Sequence, residues 1–276
     1  MRLTAYSLLT CLLLAATPSA HAQTAPADAP APPPADAAAL RRAEAVGQRL
    51  FRLDRAAWVA SDTLMAAARG QVDPRVQGWI TDEREDGIDV IYVDTTPAAL
   101  YRVSVDAQGQ PTGLETRPAP LTPAQAAAAR AVATAQATAP SACTGYYNPV
   151  VIPGEDAASW IVYLLPGSTA ETVVPLGGAW RITVRDGQPG AQRAFTNSCI
   201  TLDNRRQDGA FVVSHLLDPT PTEIHVFWSL WADKPMFVTT SRGTWAIRDG
   251  QIVEVPPSPT TTPTALDGTA TMTHSP

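Results

Sequence analysis

The sequence predicts an α+β fold: a long N-terminal helix with a small antiparallel meander, then a helix and a larger β-rich C-terminal part with one buried helix. Three observations predict it. Apolar residues recur at helical spacing from Asp36 to Arg69 with no proline between them. Short β-rich runs bounded by Gly, Pro and Asp clusters stand on both sides of an alanine-rich segment, and residues 211–255 read as strand, helix and small meander.

The chain opens on an export signal. Arg2, the apolar run Leu8 to Ala16 and Ala20-His21-Ala22 have the order of a signal peptide, with cleavage before Gln23 and delivery to the periplasm or outside the cell. Cys11 lies inside the apolar run, where a lipid-acceptor cysteine does not belong. Residues 23–35 are an Ala/Pro linker that cannot bury enough surface to order itself, and 256–276 form a Pro/Thr tail of the same kind that includes His274. Between them the reading places an N-terminal α+β part at 36–120 and a C-terminal β-rich domain at 121–255.

Charge narrows the partners. The chain has 20 Lys and Arg against 26 Asp and Glu; losing Arg2 with the signal leaves 19 against 26, a net −7. That balance disfavours nucleic acid and anionic membrane surfaces, and no run after the signal reaches the roughly 20 apolar residues of a membrane span. The expected partner is a protein or a small-molecule ligand.

In the first helix, Ala43, Val46, Leu50, Leu53, Ala57 and Leu64 form one apolar stripe and Phe51, Trp58 and Met65 another, with Gly70 as C-terminal cap. Asp54 and Asp62 beside Trp58 read as solvated or capping. Strands are expected at 76–81, 88–94, 100–106 and 112–117, joined by turns such as Glu85-Asp86-Gly87. The acidic run Asp82, Glu83, Glu85, Asp86 lacks calcium-loop spacing and reads as a solvated turn. Thr122-Pro123-Ala124-Gln125 starts a helix with a capping box that runs to about Ala137. Strands follow at 150–152, 159–165, 179–185, 193–202 and 211–217, with Trp160, Tyr163, Trp180 and Phe195 packing between sheet and helix.

Two cysteines, Cys143 and Cys199, remain after export, and an even count in an oxidising compartment predicts a disulfide. The alternative is a Cys143 nucleophile with His215 as base.

Residues 211–255 hold the chain's one lysine, Lys234, three of its seven tryptophans and the two histidines outside its termini, His215 and His225. Asp218-Pro219 ends a strand; Thr220 as N-cap, Pro221 at the first helical position and Glu223 at the third then start a helix that Pro235 stops. Its wide apolar arc, Ile224, Phe227, Trp228 and Trp231 with Val226 and Leu230, predicts burial, and Thr222, His225, Ser229 and Asp233 fill the polar wedge. No phosphate loop, dinucleotide fingerprint, nucleophile elbow or His-Glu-x-x-His is present, so no cofactor is expected, and Ser229 and His225 are simple helical neighbours.

The order strand, turn, helix, strand, hairpin over 211–255 resembles the end of the JAB/MPN metallopeptidase core, in which a strand closes with His-x-His and a helix opens with Ser-x-x-Asp. Here those positions read Val213-Ser214-His215 and Thr222-Glu223-Ile224-His225, with one residue fewer between them. The resemblance implies a hydrolase using His215 and His225 with Thr222 or Asp218. It also nominates His215, His225 and Asp218 as metal ligands. Val213 replaces the first histidine and His225 the aspartate, so a metal-free protein is expected. The chain as a whole also resembles exported proteobacterial proteins, a likeness that implies no activity. The reading favoured by the residues is a non-catalytic periplasmic binding or scaffolding protein.

Overall fold

A computed structural model describes residues 35–206 and 208–256. The segment expected to be a signal peptide, most of the expected linker and the expected tail from residue 257 lie outside the described residues.

Helix α1 (Ala35–Ala67) ends where Arg69 and Gly70 take positive φ, and the Gly70 N–H bonds the Met65 carbonyl, as expected of a glycine stop. Strands β1 (Gly78–Arg84), β2 (Gly87–Val93), β3 (Ala99–Asp106) and β4 (Pro111–Glu115) form an antiparallel sheet in that order. Helix α2 (Pro123–Thr138) has the predicted box: the Gln125 N–H donates to Thr122 Oγ1, and the Thr122 N–H donates to Gln125 Oε1. A second antiparallel sheet has the order β5 (Tyr147–Pro153), β6 (Ser159–Pro166), β8 (Trp180–Arg185), β9 (Gln188–Ala194). Between these, β7 (Val173–Val174) pairs with β10 (Leu202–Asp203). The run expected as one strand over 193–202 is therefore interrupted. Its break carries Cys199, bonded to Cys143 with α-carbons 5.6 Å apart, so Cys143 has no thiol to offer.

The last sheet is β11 (Phe211–Ser214), β12 (Met236–Thr240), β13 (Gly243–Arg248) and β14 (Gln251–Val255). Helix α3 (Glu223–Trp231) crosses between β11 and β12, which pair in parallel, and the rest is an antiparallel meander.

Three packed clusters join these layers. The inner stripe of α1, including Ala56, Ala60 and Leu64, covers Val90, Tyr92 and Val103 of the first sheet. The other face of that sheet, Ile80, Ile91 and Val93, meets α2 and the second sheet through Val132, Ala135, Val162 and Ile182. The largest cluster gathers Leu50 and Leu53 of α1, Tyr163 and Leu165 of β6, Ile224, Phe227 and Trp228 of α3 and Met236, Val238 and Ile247 of the last sheet. Two of the three clusters thus draw residues from both sides of position 120. No helix among the described residues is long and apolar enough to cross a membrane.

Four expectations need correction. Trp58 and Met65 are 47% and 50% exposed, so of the second stripe of α1 only Phe51 packs against the core; Arg55 stacks on Trp58 at 3.9 Å from outside. Asp54 is buried between α1 and β5, with Asn148 Nδ2 3.4 Å from Oδ1, and is neither solvated nor a cap. The acidic run is an anchor as well as a turn, since Glu83 holds Arg49 and Arg52 of α1 and Asp82 accepts from Gln125 of α2. The strand expected to reach Leu217 ends at Ser214; one further bond, His215 N–H to Thr239 O at 2.8 Å, follows before the chain turns away, with Leu216 86% exposed.

Candidate functional site

Helix α3 starts two residues later than expected. Thr222 is the N-cap, with extended φ and ψ, and Glu223 is the first helical residue and not the third. The cap is built by the histidine: the Thr222 N–H donates to His225 Nδ1 at 3.1 Å, and Thr222 Oγ1 lies 3.0 Å from the same nitrogen. His225 takes the place that Glu or Gln fills in an ordinary capping box. Thr220 and Pro221 belong to the approach, where Thr240 Oγ1 holds the Pro219 carbonyl at 2.7 Å and accepts from Trp245 Nε1 at 3.1 Å.

Three of the four residues of the polar wedge are buried: Thr222 and His225 are each 4% exposed and Ser229 3%, whereas Asp233, past the end of α3, is exposed. Ser229 donates to the Lys234 carbonyl at 2.7 Å and so closes the helix C-terminus; it does not approach His225 as a nucleophile.

The loop between β11 and α3 brings three of the nominated residues together. His215 Nε2 is 2.7 Å from Asp218 Oδ2, and the His215 and His225 rings meet edge to face with centroids 4.6 Å apart. Thr222 completes the group from the helix cap.

Sequence reasoning missed the other half of the cluster. Tyr163 of β6 pairs with Arg181 of β8, which pairs with Arg193 of β9, so the three side chains form a row across the second sheet. Arg193 reaches Asp218 Oδ2 at 2.7 Å, and Glu223 Oε1 accepts from Tyr163 Oη at 2.9 Å and from Arg181 at 3.1 Å. Below the row, Tyr163 and Phe195 stack with centroids 6.2 Å apart, and the Arg193 guanidinium lies 4.7 Å over Phe195. Strand alternation puts Arg181 and Arg193 on one face, but only the fold shows that this face meets the acidic mouth of the 215–223 loop.

Electrostatics follows from burial. Desolvation, with His215 nearby as the second cause, lowers the His225 pKa to about 3, so its ring is neutral and Nδ1 is free to accept. Burial, with the Glu223 charge adding to it, pushes Tyr163 above its ordinary value, so its hydroxyl stays protonated and donates.

Each ligand that the JAB/MPN resemblance nominates has one polar atom in a hydrogen bond within the fold. His215 Nε2 is spent on Asp218, Asp218 Oδ2 also serves Arg193, and His225 Nδ1 is spent on the Thr222 backbone. Among the described residues no group of three or more His, Cys, Asp or Glu is placed to hold a metal ion. The arrangement is a clasp. Arginines of the second sheet grip acidic residues on either side of the α3 cap, and the histidines pack between. Comparisons with protein-family models, with curated proteins and with solved structures each found no match.

Proposed function

We propose that the chain is a non-catalytic binding or scaffolding protein of the periplasm or cell exterior, and that the His215, Asp218 and His225 cluster is structural. The observation that carries this reading is the fate of the Asp218 carboxylate and the His225 ring. The same Asp218 oxygen serves both His215 and Arg193, and His225 Nδ1 serves the Thr222 N–H, so one nitrogen of each ring and one carboxylate oxygen are engaged in holding the fold. Burial supports it: Thr222, whose hydroxyl lies against His225, is as buried as the two histidines. The disulfide and the signal-like N-terminus favour an oxidising compartment.

The competing reading is a divergent JAB/MPN-like hydrolase. It draws on the His215–Asp218 pair, since a carboxylate that orients an imidazole is also part of acyl-transfer chemistry. Hydrolysis of p-nitrophenyl acetate and of a mixed peptide library, each with and without added zinc, separates the two. The structural reading expects no turnover that depends on the histidines. Turnover abolished by both His215→Ala and His225→Gln, in variants that melt as the parent does, would replace it with the hydrolase.

A further inference from the structure

A cleft of about 150 Å³ that shares no residue with the clasp lies between the second half of α2 and the end of the first sheet. Its α2 wall is Ala129, Val132 and Ala133; the opposite wall is Gly78 of β1 with Val93 and Pro97 around the end of β2. It is open because the facing residues are small. Gly78 sits opposite Val93, whose side chain packs towards α2, and a Cβ built on Gly78 meets no atom within 4 Å.

The rim is charged. Arg130 borders the cleft, is exposed, and among the described residues has neither an ion-pair partner nor a hydrogen bond. The other charged residue on the rim, Asp94 at the end of β2, stays ionised: its Oδ1 accepts from Thr96 N, Thr96 Oγ1 and Ala98 N, and these bonds hold its pKa below the ordinary carboxylate value, so an anion is favoured only on the α2 side, at Arg130. A cavity of this volume with apolar walls takes a body about the size of benzene, and a free guanidinium beside it selects a carboxylate by paired, charge-assisted hydrogen bonds.

We propose that this cleft binds a small carboxylate with a benzene-sized apolar body, the body between Gly78 and Ala133 and the anion on Arg130. The proposal names a ligand class for the binding role above and rests on that reading. It uses no residue of the clasp.

Calorimetric titration of the full mature chain with benzoate, and with benzyl alcohol as the neutral counterpart, tests it. Benzoate is expected to bind saturably at one per chain. Arg130→Gln should weaken benzoate roughly tenfold, the value of one charge-assisted contact, and change benzyl alcohol far less. Gly78→Val and Ala133→Leu each fill the cleft from a different wall and should remove binding of both probes without lowering the melting temperature, because one side chain enters open space and the other starts from an exposed helix position. Three results would overturn the proposal: no saturable benzoate binding up to about 10 mM, unchanged benzoate affinity in both filling variants, or equal weakening of the two probes by Arg130→Gln. Failure here with no histidine-dependent turnover sinks the cleft alone, whereas histidine-dependent turnover sinks the binding reading whatever benzoate does.

Discussion

Asp218 Oδ2 lies 2.7 Å from His215 Nε2 and is at the same time the oxygen that Arg193 of β9 reaches from the neighbouring sheet. His215 is 4% exposed, so this carboxylate is the partner of an otherwise buried ring nitrogen. Asp218→Ala is expected to cost about 2 to 3 kcal/mol, because it strands a buried polar group, and Arg193→Ala about 1, because its guanidinium is part-exposed and can be hydrated. Urea denaturation of the two single variants and the double variant measures this. If the pair is coupled as the geometry states, the double variant loses less than the sum of the singles.

The dependence of stability on pH carries two opposing contributions. His225 has a folded pKa of about 3 against an ordinary value of 6.5, so below pH 6.5 the unfolded chain takes up a proton that the folded chain refuses; stability falls as pH drops from 6.5 towards 3. Asp54 has the opposite sign. Burial raises it from 3.8 to about 6, so the folded chain is the one that gains the proton, and stability rises as pH drops through 6 and levels off below 3.8. Asp54→Asn should therefore stabilise the protein at pH 7 by about 2 to 3 kcal/mol and flatten the Asp54 contribution, while His225→Gln should remove the acid loss. Denaturation midpoints at pH 7, 5 and 4 check both; a His225→Gln curve parallel to the parent would contradict the neutral buried ring.

The corrected helix start reorders the expected cap mutants. Thr220 precedes the cap and its side chain has no hydrogen-bond partner among the described residues, so Thr220→Ala loses no cap bond and should cost only about 1 kcal/mol, for the buried methyl group it removes. His225→Ala removes the acceptor of the Thr222 N–H and opens space in a buried helix, and should cost about 2 to 4 kcal/mol. The ranking, read from thermal melts, would reverse if Thr220 were the true N-cap.

Trp228 is 2% exposed and its Nε1 has no hydrogen-bond partner among the described residues. Trp228→Ala should cost about 3 to 5 kcal/mol through the cavity, but Trp228→Phe markedly less, because it removes a buried donor that makes no bond. Equal losses for the two would mean that Nε1 does find a partner.

On the opposite helix, a Cβ at Gly47 would stand 2.6 Å from Val226 Cβ and 2.7 Å from the Glu223 carbonyl. Here α1 and α3 touch backbone to side chain with no room for a methyl group. Gly47→Ala, which an isolated helix would welcome, should destabilise this protein by at least about 1 kcal/mol, against the propensity gain of similar size. Guanidinium denaturation decides the sign.

Local chemistry was readable directly from residue order. The Thr122 to Gln125 box, the Gly70 stop and the cysteines Cys143 and Cys199 each carry their own geometric signal within a few residues or by count alone, and each appears in the fold. Thr220-Pro221-Thr222-Glu223 has the capping-box pattern starting at Thr220, but the fold starts α3 at Thr222, where the buried His225 Nδ1 accepts from the cap N–H.

By itself, then, the sequence determined the element types, the α+β class, the disulfide and the burial of α3, since these follow from hydrophobic period, turn residues and composition. Tertiary structure alone decided that β11 lies parallel to β12, that Gly47 is a contact point, that Arg181 and Arg193 face Glu223 and Asp218, and that Gly78 and Ala133 line one cleft. The physical reason is range. Helical and strand periods and cap hydrogen bonds act over two to four residues, whereas an ion pair or a cleft wall joins positions tens of residues apart whose meeting is fixed only when the sheets and helices bury their apolar faces together.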